Sequence, residues 1–133
     1  MTSTTIMENY SKAFETSVLR NIAKTAGLLA LGLGVLSWNG ITDSLIPVHI
    51  VLGAVLGLSM MLLANQAVRA GLPIWLAAFA VLTVISVGVF GLFQEFIFPA
   101  NQVLTHIIHL FGGTSAIAMS EILAVEIKKI KVK

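Results

Sequence analysis

Residues 44–68 read SLIPVHIVLGAVLGLSMMLLANQAV, a run of 25 positions without Lys, Arg, Asp or Glu. Two more uncharged runs of 25 residues follow, at 70–94 and 96–120. A helix of about 20 apolar residues is long enough to cross a hydrocarbon core of roughly 30 Å. Each of the three runs is therefore predicted to be a membrane-spanning helix.

A fourth, weaker span is predicted before them, with Lys24 close enough to its end to reach the membrane surface. The composition agrees, because 57% of the residues are hydrophobic and 11% are charged, which is outside the usual range of soluble domains. The mean hydropathy is +0.97. The sequence predicts an all-α fold, a transmembrane four-helix bundle that forms one integral membrane domain over 1–133, with spans at about 22–41, 45–68, 72–96 and 101–125.

The basic residues predict the orientation of these spans. Lys and Arg occur before span one, between spans two and three and after span four, but not in the other two connections. Because basic loops stay in the cytoplasm, we expect an up-down topology with both termini cytoplasmic, in the plasma (inner) membrane of a prokaryote. The net charge of +2 follows from this bias, and no basic stripe interleaved with aromatic residues predicts nucleic-acid binding.

Residues 1–21 are predicted to be a cytoplasmic or interfacial tail. Ile6, Tyr10, Phe14 and Val18 recur every four residues, which would line one side of an interfacial helix, and a partly ordered tail is the alternative. The polar lead is longer than that of a cleavable signal, so span one is expected to be retained. The chain has no cysteine, which excludes disulfides and thiolate metal sites.

All three histidines, His49, His106 and His109, lie inside the uncharged runs, where ionisable side chains are costly and often functional. His49 lies 20 residues before Arg69, and His109 lies 19 residues before Lys128. At a rise of ~1.5 Å per residue, these two imidazoles lie about 30 Å and 28 Å from the inner basic residues. We therefore expect His49 and His109 at nearly the same depth, with His106 about one turn farther out.

Each of the two level histidines is followed four residues later by a glycine, Gly53 in span two and Gly113 in span four. Two level imidazoles could hold a heme iron from both sides, while the glycines make room for a macrocycle that ordinary helix packing at ~8–10 Å excludes. The alternative is structural: Gly53 and Gly57 form a common close-packing pattern, and a histidine beside them can simply hydrogen-bond to the neighbouring helix.

These residues also carry a resemblance. Spans two and four resemble a family of small four-span bacterial membrane proteins, in the pattern His49-x-x-x-Gly53 and His109-x-x-x-Gly113-x-x-Ala116-Ile117-x-x-x-Glu121. The plan is similar to that of membrane b-type cytochromes. That resemblance implies heme b and electron transfer, with His49 and His109 as the iron ligands. We expect one heme between spans two and four near the outer side, and a quinol or another membrane redox partner.

Several alternatives stay open. His106 could replace His109 as ligand, hydrogen-bond a heme propionate, or be a polar residue near the headgroups. A metal site of three histidines would need a further ligand, for which Glu95 is the outer candidate. Glu121 is expected to approach Lys128 or a neighbouring helix. The second functional hypothesis is a non-catalytic subunit or assembly protein that docks another membrane protein, with a homo-oligomer also possible. No residue is singled out as catalytic.

Overall fold

The computed structural model describes the backbone of residues 3–38, 43–97 and 100–131, and the side chains of 15–38, 44–93, 96–97 and 100–130. This part of the chain is all-helical. It contains α1 (Ser3–Trp38), a short 3-10 turn (Asp43–Leu45), α2 (Ile46–Arg69), α3 (Ile74–Ile97) and α4 (Gln102–Lys131). The predicted all-α, four-helix architecture is confirmed.

The first helix differs from the prediction. Helix α1 runs without interruption from Ser3 to Trp38, so no break separates residues 3–21 from residues 22–38, the described part of the span predicted at 22–41. Its most apolar part is Glu15–Trp38. The side chains of Ile6, Tyr10 and Phe14 lie outside the described residues, so the proposed interfacial stripe stays a prediction. A polar lead can continue a helix because helical hydrogen bonds are local and do not require an apolar sequence.

The other helices begin and end close to the predicted positions, except that α4 continues to Lys131 rather than to residue 125. A proline lies in the first turn of α2, where its missing N–H is not needed. The side chain of Asn101 accepts a hydrogen bond from the Leu104 N–H at 3.1 Å and caps the start of α4.

Helix α2 ends in a tight turn at Gly71, which has a φ of 87°. The N–H of Gly71 donates to the carbonyl of Val68, and the N–H of Leu72 donates to the carbonyl of Ala67, each at 3.0 Å. This pair of bonds is the Schellman motif, in which the left-handed position favours glycine. The predicted short connection between spans two and three is confirmed, and it places α3 directly beside α2.

The helices form a closed ring in which each contacts its two neighbours. Helix α1 packs against α2 and α4, α3 packs against the same two, and α2 also touches α4 across the bundle; no contact joins α1 and α3 within the described residues. Four large side chains are fully buried in the core, Met60, Leu63, Leu123 and Ile127, and small alanines fill much of the rest. Such small residues allow close helix approach.

The outside of the bundle is strongly apolar. Large hydrophobic side chains are exposed along every helix, with Ile74 at 73% and Phe111 at 70% exposure. A soluble monomer rarely exposes so much apolar surface. Four helices are long and apolar enough to cross a membrane: Glu15–Trp38, Ile46–Arg69, Ile74–Phe93 and Gln102–Ile130. By the length and composition of its helices, the chain is therefore a multi-pass membrane protein.

Candidate histidine site

The three histidines lie in the first turns of two helices that touch each other. His49 is in the first turn of α2, and His106 and His109 are in the first two turns of α4. All three side chains are half-buried. Because α2 and α4 are in contact, imidazoles near their starts can meet inside the bundle.

His49 and His109 do meet. Their ring centroids are 5.9 Å apart and the ring planes are tilted by 54°. The expected proximity, based on equal depth in two spans, is thus found. The role of the two rings as ligands of a heme iron stays a prediction.

His49 is held by helix α1. Its Nδ1 lies 2.8 Å from the carbonyl oxygen of Ala30. Because a carbonyl oxygen can only accept, Nδ1 is the protonated nitrogen and donates this bond. A Cβ added to Gly34, one turn further along α1, would lie 3.2 Å from Cε1 of His49. The absence of a side chain at Gly34 therefore lets the imidazole approach the α1 backbone.

His109 is held differently. A Cβ added to Gly91 of α3 would lie 2.5 Å from Cε1 of His109, which is closer than side-chain contacts allow. The ring therefore packs directly against the α3 backbone at this glycine. Within the described part of the chain, its Nδ1 is buried and has no hydrogen-bond partner. The two histidines share a similar glycine contact but differ in hydrogen bonding.

The predicted glycines Gly53 and Gly113 have different surroundings. A Cβ added to Gly53 would have nothing within 4 Å, so there is room beside this residue. Gly113 has less room, because the side chain of Leu31 from α1 packs against it. The Cδ2 atom of Leu31 would lie 2.9 Å from a Cβ added to Gly113. The sequence could not reveal this, because the rotation of α1 about its own axis decides which side chain faces Gly113.

The sequence did not indicate Gly34 and Gly91, the two glycines that contact the imidazoles. Gly34 lies on α1 and Gly91 lies on α3, the two helices without histidines. A nearby glycine on each helix, Gly32 on α1 and Gly88 on α3, does not contact an imidazole. A Cβ added to either of these would have nothing within 4 Å. Spacing along one helix cannot tell which glycine faces a neighbour, so only the packed structure separates the two kinds.

His106 does not join the pair. It stacks on Trp38 at the end of α1, with ring centroids 5.1 Å apart and planes 17° from parallel. Its Nδ1 is buried without a hydrogen-bond partner. This stacking places the ring of His106 at the end of α1, although His106 shares a helix face with His109. A role of His106 in ligand binding stays a prediction.

No group of three His, Asp or Glu side chains comes together in metal-binding geometry anywhere in the described part of the chain. The three-histidine metal site considered from the sequence is therefore not formed there, because His106 stacks with Trp38 instead of joining the other two rings. The side chain of Glu95, its candidate fourth ligand, lies outside the described residues.

A second polar cluster joins the middle of α1 to α4. Glu121 of α4 is 3.5 Å from Lys24 Nζ and 4.0 Å from Arg20 Nε. Glu121 Oε1 is buried and makes no hydrogen bond, so its interaction with Lys24 is an ion pair at long range. The expected approach of Glu121 to a neighbouring helix is found, and the pairing is with α1 rather than with Lys128.

The comparisons with known proteins give no relative. No family model matches the sequence, and neither the search of curated proteins nor the search of solved structures found a match. The resemblance to small four-span membrane proteins and to b-type cytochromes therefore stays an expectation based on the residues themselves.

Proposed function

We propose that the protein is a membrane b-type heme protein for electron transfer, with His49 and His109 as the two axial ligands of one iron. The observation that carries this proposal is the separation of 5.9 Å between the two ring centroids. Both rings come from half-buried positions within membrane-spanning helices.

The ring separation suits a shared metal atom. A metal-to-imidazole nitrogen bond is about 2 Å long. Adding roughly 1 Å from each nitrogen to its ring centre puts two rings that share one iron roughly 6 Å apart. The rings of His49 and His109 are already at this separation. This separation supports one iron held by both rings.

The surroundings of His49 also fit a metal ligand. Metal-binding histidines commonly donate their second ring N–H to a carbonyl or carboxylate, which fixes the tautomer and ring orientation. The bond from His49 Nδ1 to Ala30 O is such a contact, and it leaves Nε2 with a free lone pair.

A macrocycle needs space beside the rings as well as ligands above and below it. The open side of Gly53 supplies part of that space. Leu31 now fills the position beside Gly113, so binding requires its side chain to adopt another rotamer.

The contacts of α1 support the up-down arrangement. Its first half lies beside the end of α2, through the hydrogen bond from Thr16 Oγ1 to Gln66 Oε1. Its end lies beside the start of α4, where Trp38 stacks on His106. With basic residues at the opposite end, we place the histidines toward the outer leaflet and both termini in the cytoplasm of a prokaryotic plasma membrane. A quinol or membrane redox partner would then approach from the outer side.

The proposal is tested by heme content and spectra of purified variants. Full-length protein expressed with added heme precursor should contain one heme b with a low-spin spectrum. His49→Ala and His109→Ala should each remove that spectrum or convert it to high spin, and His106→Ala is the matched control that should keep it. Wild-type spectra in both ligand variants would overturn the assignment of the ligands.

The second candidate is a docking subunit without a cofactor. It is favoured by three glycines within described helices whose added Cβ would have nothing within 4 Å, Gly32, Gly53 and Gly88. Such small residues let another transmembrane helix approach closely. Large substitutions at Gly32 or Gly88, away from the two histidines, would then release a partner from the purified complex, whereas in a heme protein these two changes should leave the heme spectrum unchanged.

A further inference from the structure

The two imidazoles of the central pair are held unequally. His49 Nδ1 donates to Ala30 O at 2.8 Å. His109 Nδ1 is buried and has no hydrogen-bond partner among the residues that the structure describes. Each ring packs against a glycine of a neighbouring helix, with an added Cβ 3.2 Å from Cε1 of His49 at Gly34 and 2.5 Å from Cε1 of His109 at Gly91, but only His49 has a hydrogen bond that fixes its ring proton.

The contact that holds His49 is a notch on α1, formed by Ala30 and Gly34. These residues lie one helical turn apart, so they are neighbours on the same face. Ala30 supplies the carbonyl oxygen, and Gly34 supplies the space, since its added Cβ would lie 3.2 Å from Cε1 and 3.6 Å from Nδ1 of His49. A larger residue at 34 would push the ring away from the carbonyl.

The notch decides which nitrogen of His49 is available. A donating Nδ1–H leaves Nε2 as the only ring atom with a free lone pair. A hydrogen bond from the other ring N–H also raises the basicity of a metal-binding histidine. His109 has no partner that selects one tautomer or strengthens one nitrogen.

We propose that the Ala30–Gly34 notch makes His49 the anchoring ligand of the pair and leaves His109 as the weaker, exchangeable ligand. The proposal rests on the heme function above. It adds that the iron stays bound through His49 when the His109 bond is lost, and that a small neutral ligand such as imidazole can take the vacated position.

The first test needs no heme. In the heme-free full-length protein, 15N NMR of histidine should show His49 as a single Nδ1–H tautomer. Gly34→Val should remove that single-tautomer signal, and Gly34→Ala should weaken it with less risk to folding. Gly32→Val on the same helix is the matched control and should leave the signal unchanged, because a Cβ added at Gly32 would have nothing within 4 Å.

The second test compares heme retention in two ligand variants. His109→Ala should keep most of its heme in a high-spin form, and added imidazole should restore the low-spin spectrum. His49→Ala should lose heme several-fold, without rescue. Equal loss in the two variants, or retention in His49→Ala alone, overturns the proposal.

The two tests distinguish an incorrect heme function from an incorrect role of the Ala30–Gly34 notch. One outcome is a protein that binds no heme but shows the Nδ1–H signal of His49, with this signal lost in Gly34→Val. That outcome contradicts the heme function and supports the notch as the element that fixes His49. A His49 without that tautomer in the heme-free protein contradicts the notch itself, whatever the heme content.

Discussion

The rings of His49 and His109 lie 5.9 Å apart, although they belong to different helices that meet across the bundle. Each ring is also backed by a glycine from one of the other two helices, Gly34 on α1 and Gly91 on α3. All four helices therefore contribute to the position of this pair. A shift of any one helix should therefore change the positions of the two imidazole rings.

Gly91 is predicted to be essential for the position of His109. An added Cβ would come within 2.5 Å of Cε1, so Gly91→Ala must displace the ring or the helix. We expect most of the heme to be retained with a shift from low spin to high spin, and a destabilisation of about 1–3 kcal/mol, typical of overpacking. Gly88→Ala is the control, since its Cβ would meet nothing within 4 Å. Equal low-spin fractions and equal thermal stability in the two variants would contradict this contact between Gly91 and His109.

Leu31 is predicted to limit access to the space beside His109. Its side chain fills the position next to Gly113, so Leu31→Ala should open that space and strengthen heme binding in a titration of the heme-free protein. Gly113→Leu should have the opposite effect. Leu29→Ala is the matched control because Leu29 is exposed on the same helix. Weaker heme binding in Leu31→Ala than in Leu29→Ala would show that Leu31 supports the site rather than filling it.

The sequence predicted the all-helical class and the approximate ends of α2 and α3 because long apolar runs and Gly or Pro punctuation act locally. It also predicted His49 and His109 at nearly the same depth, since depth follows from counting residues along two helices, and the structure brings the two rings together. It could not predict Gly34, Gly91 or Leu31, because these depend on how each helix is rotated about its axis. It also missed the continuous helix through residues 3–38.

The Glu121 cluster is predicted to stabilise the packing of α1 on α4. Glu121→Gln removes the ion pairs that join α4 to Arg20 and Lys24, so we expect a loss of stability of about 1 kcal/mol, smaller at high salt. Glu126→Gln is the control, because its pair with Lys129 is exposed and lies within one helix. Thermal unfolding in detergent measures both. A larger loss from the Glu126 variant would contradict a role for Glu121 between the helices.

The basic residues predict how the bundle is oriented in the membrane. Reporter fusions at Lys133 and near Arg69 should be cytoplasmic, while tags near Asp43 and Ala100 should be external. The measurement is reporter activity together with protection of the tags from added protease in intact cells. An external Lys133 fusion would reverse the orientation and move the histidines to the inner leaflet.

The most direct test of the heme assignment is the visible absorption spectrum of the purified wild-type protein, produced with heme supplied and recorded in the oxidised and reduced states. Two imidazole ligands, His49 and His109, should give a low-spin heme b spectrum with a sharp α band on reduction. A protein that remains colourless after heme supplementation, or that binds heme only in a high-spin form, would contradict ligation of one iron by both histidines.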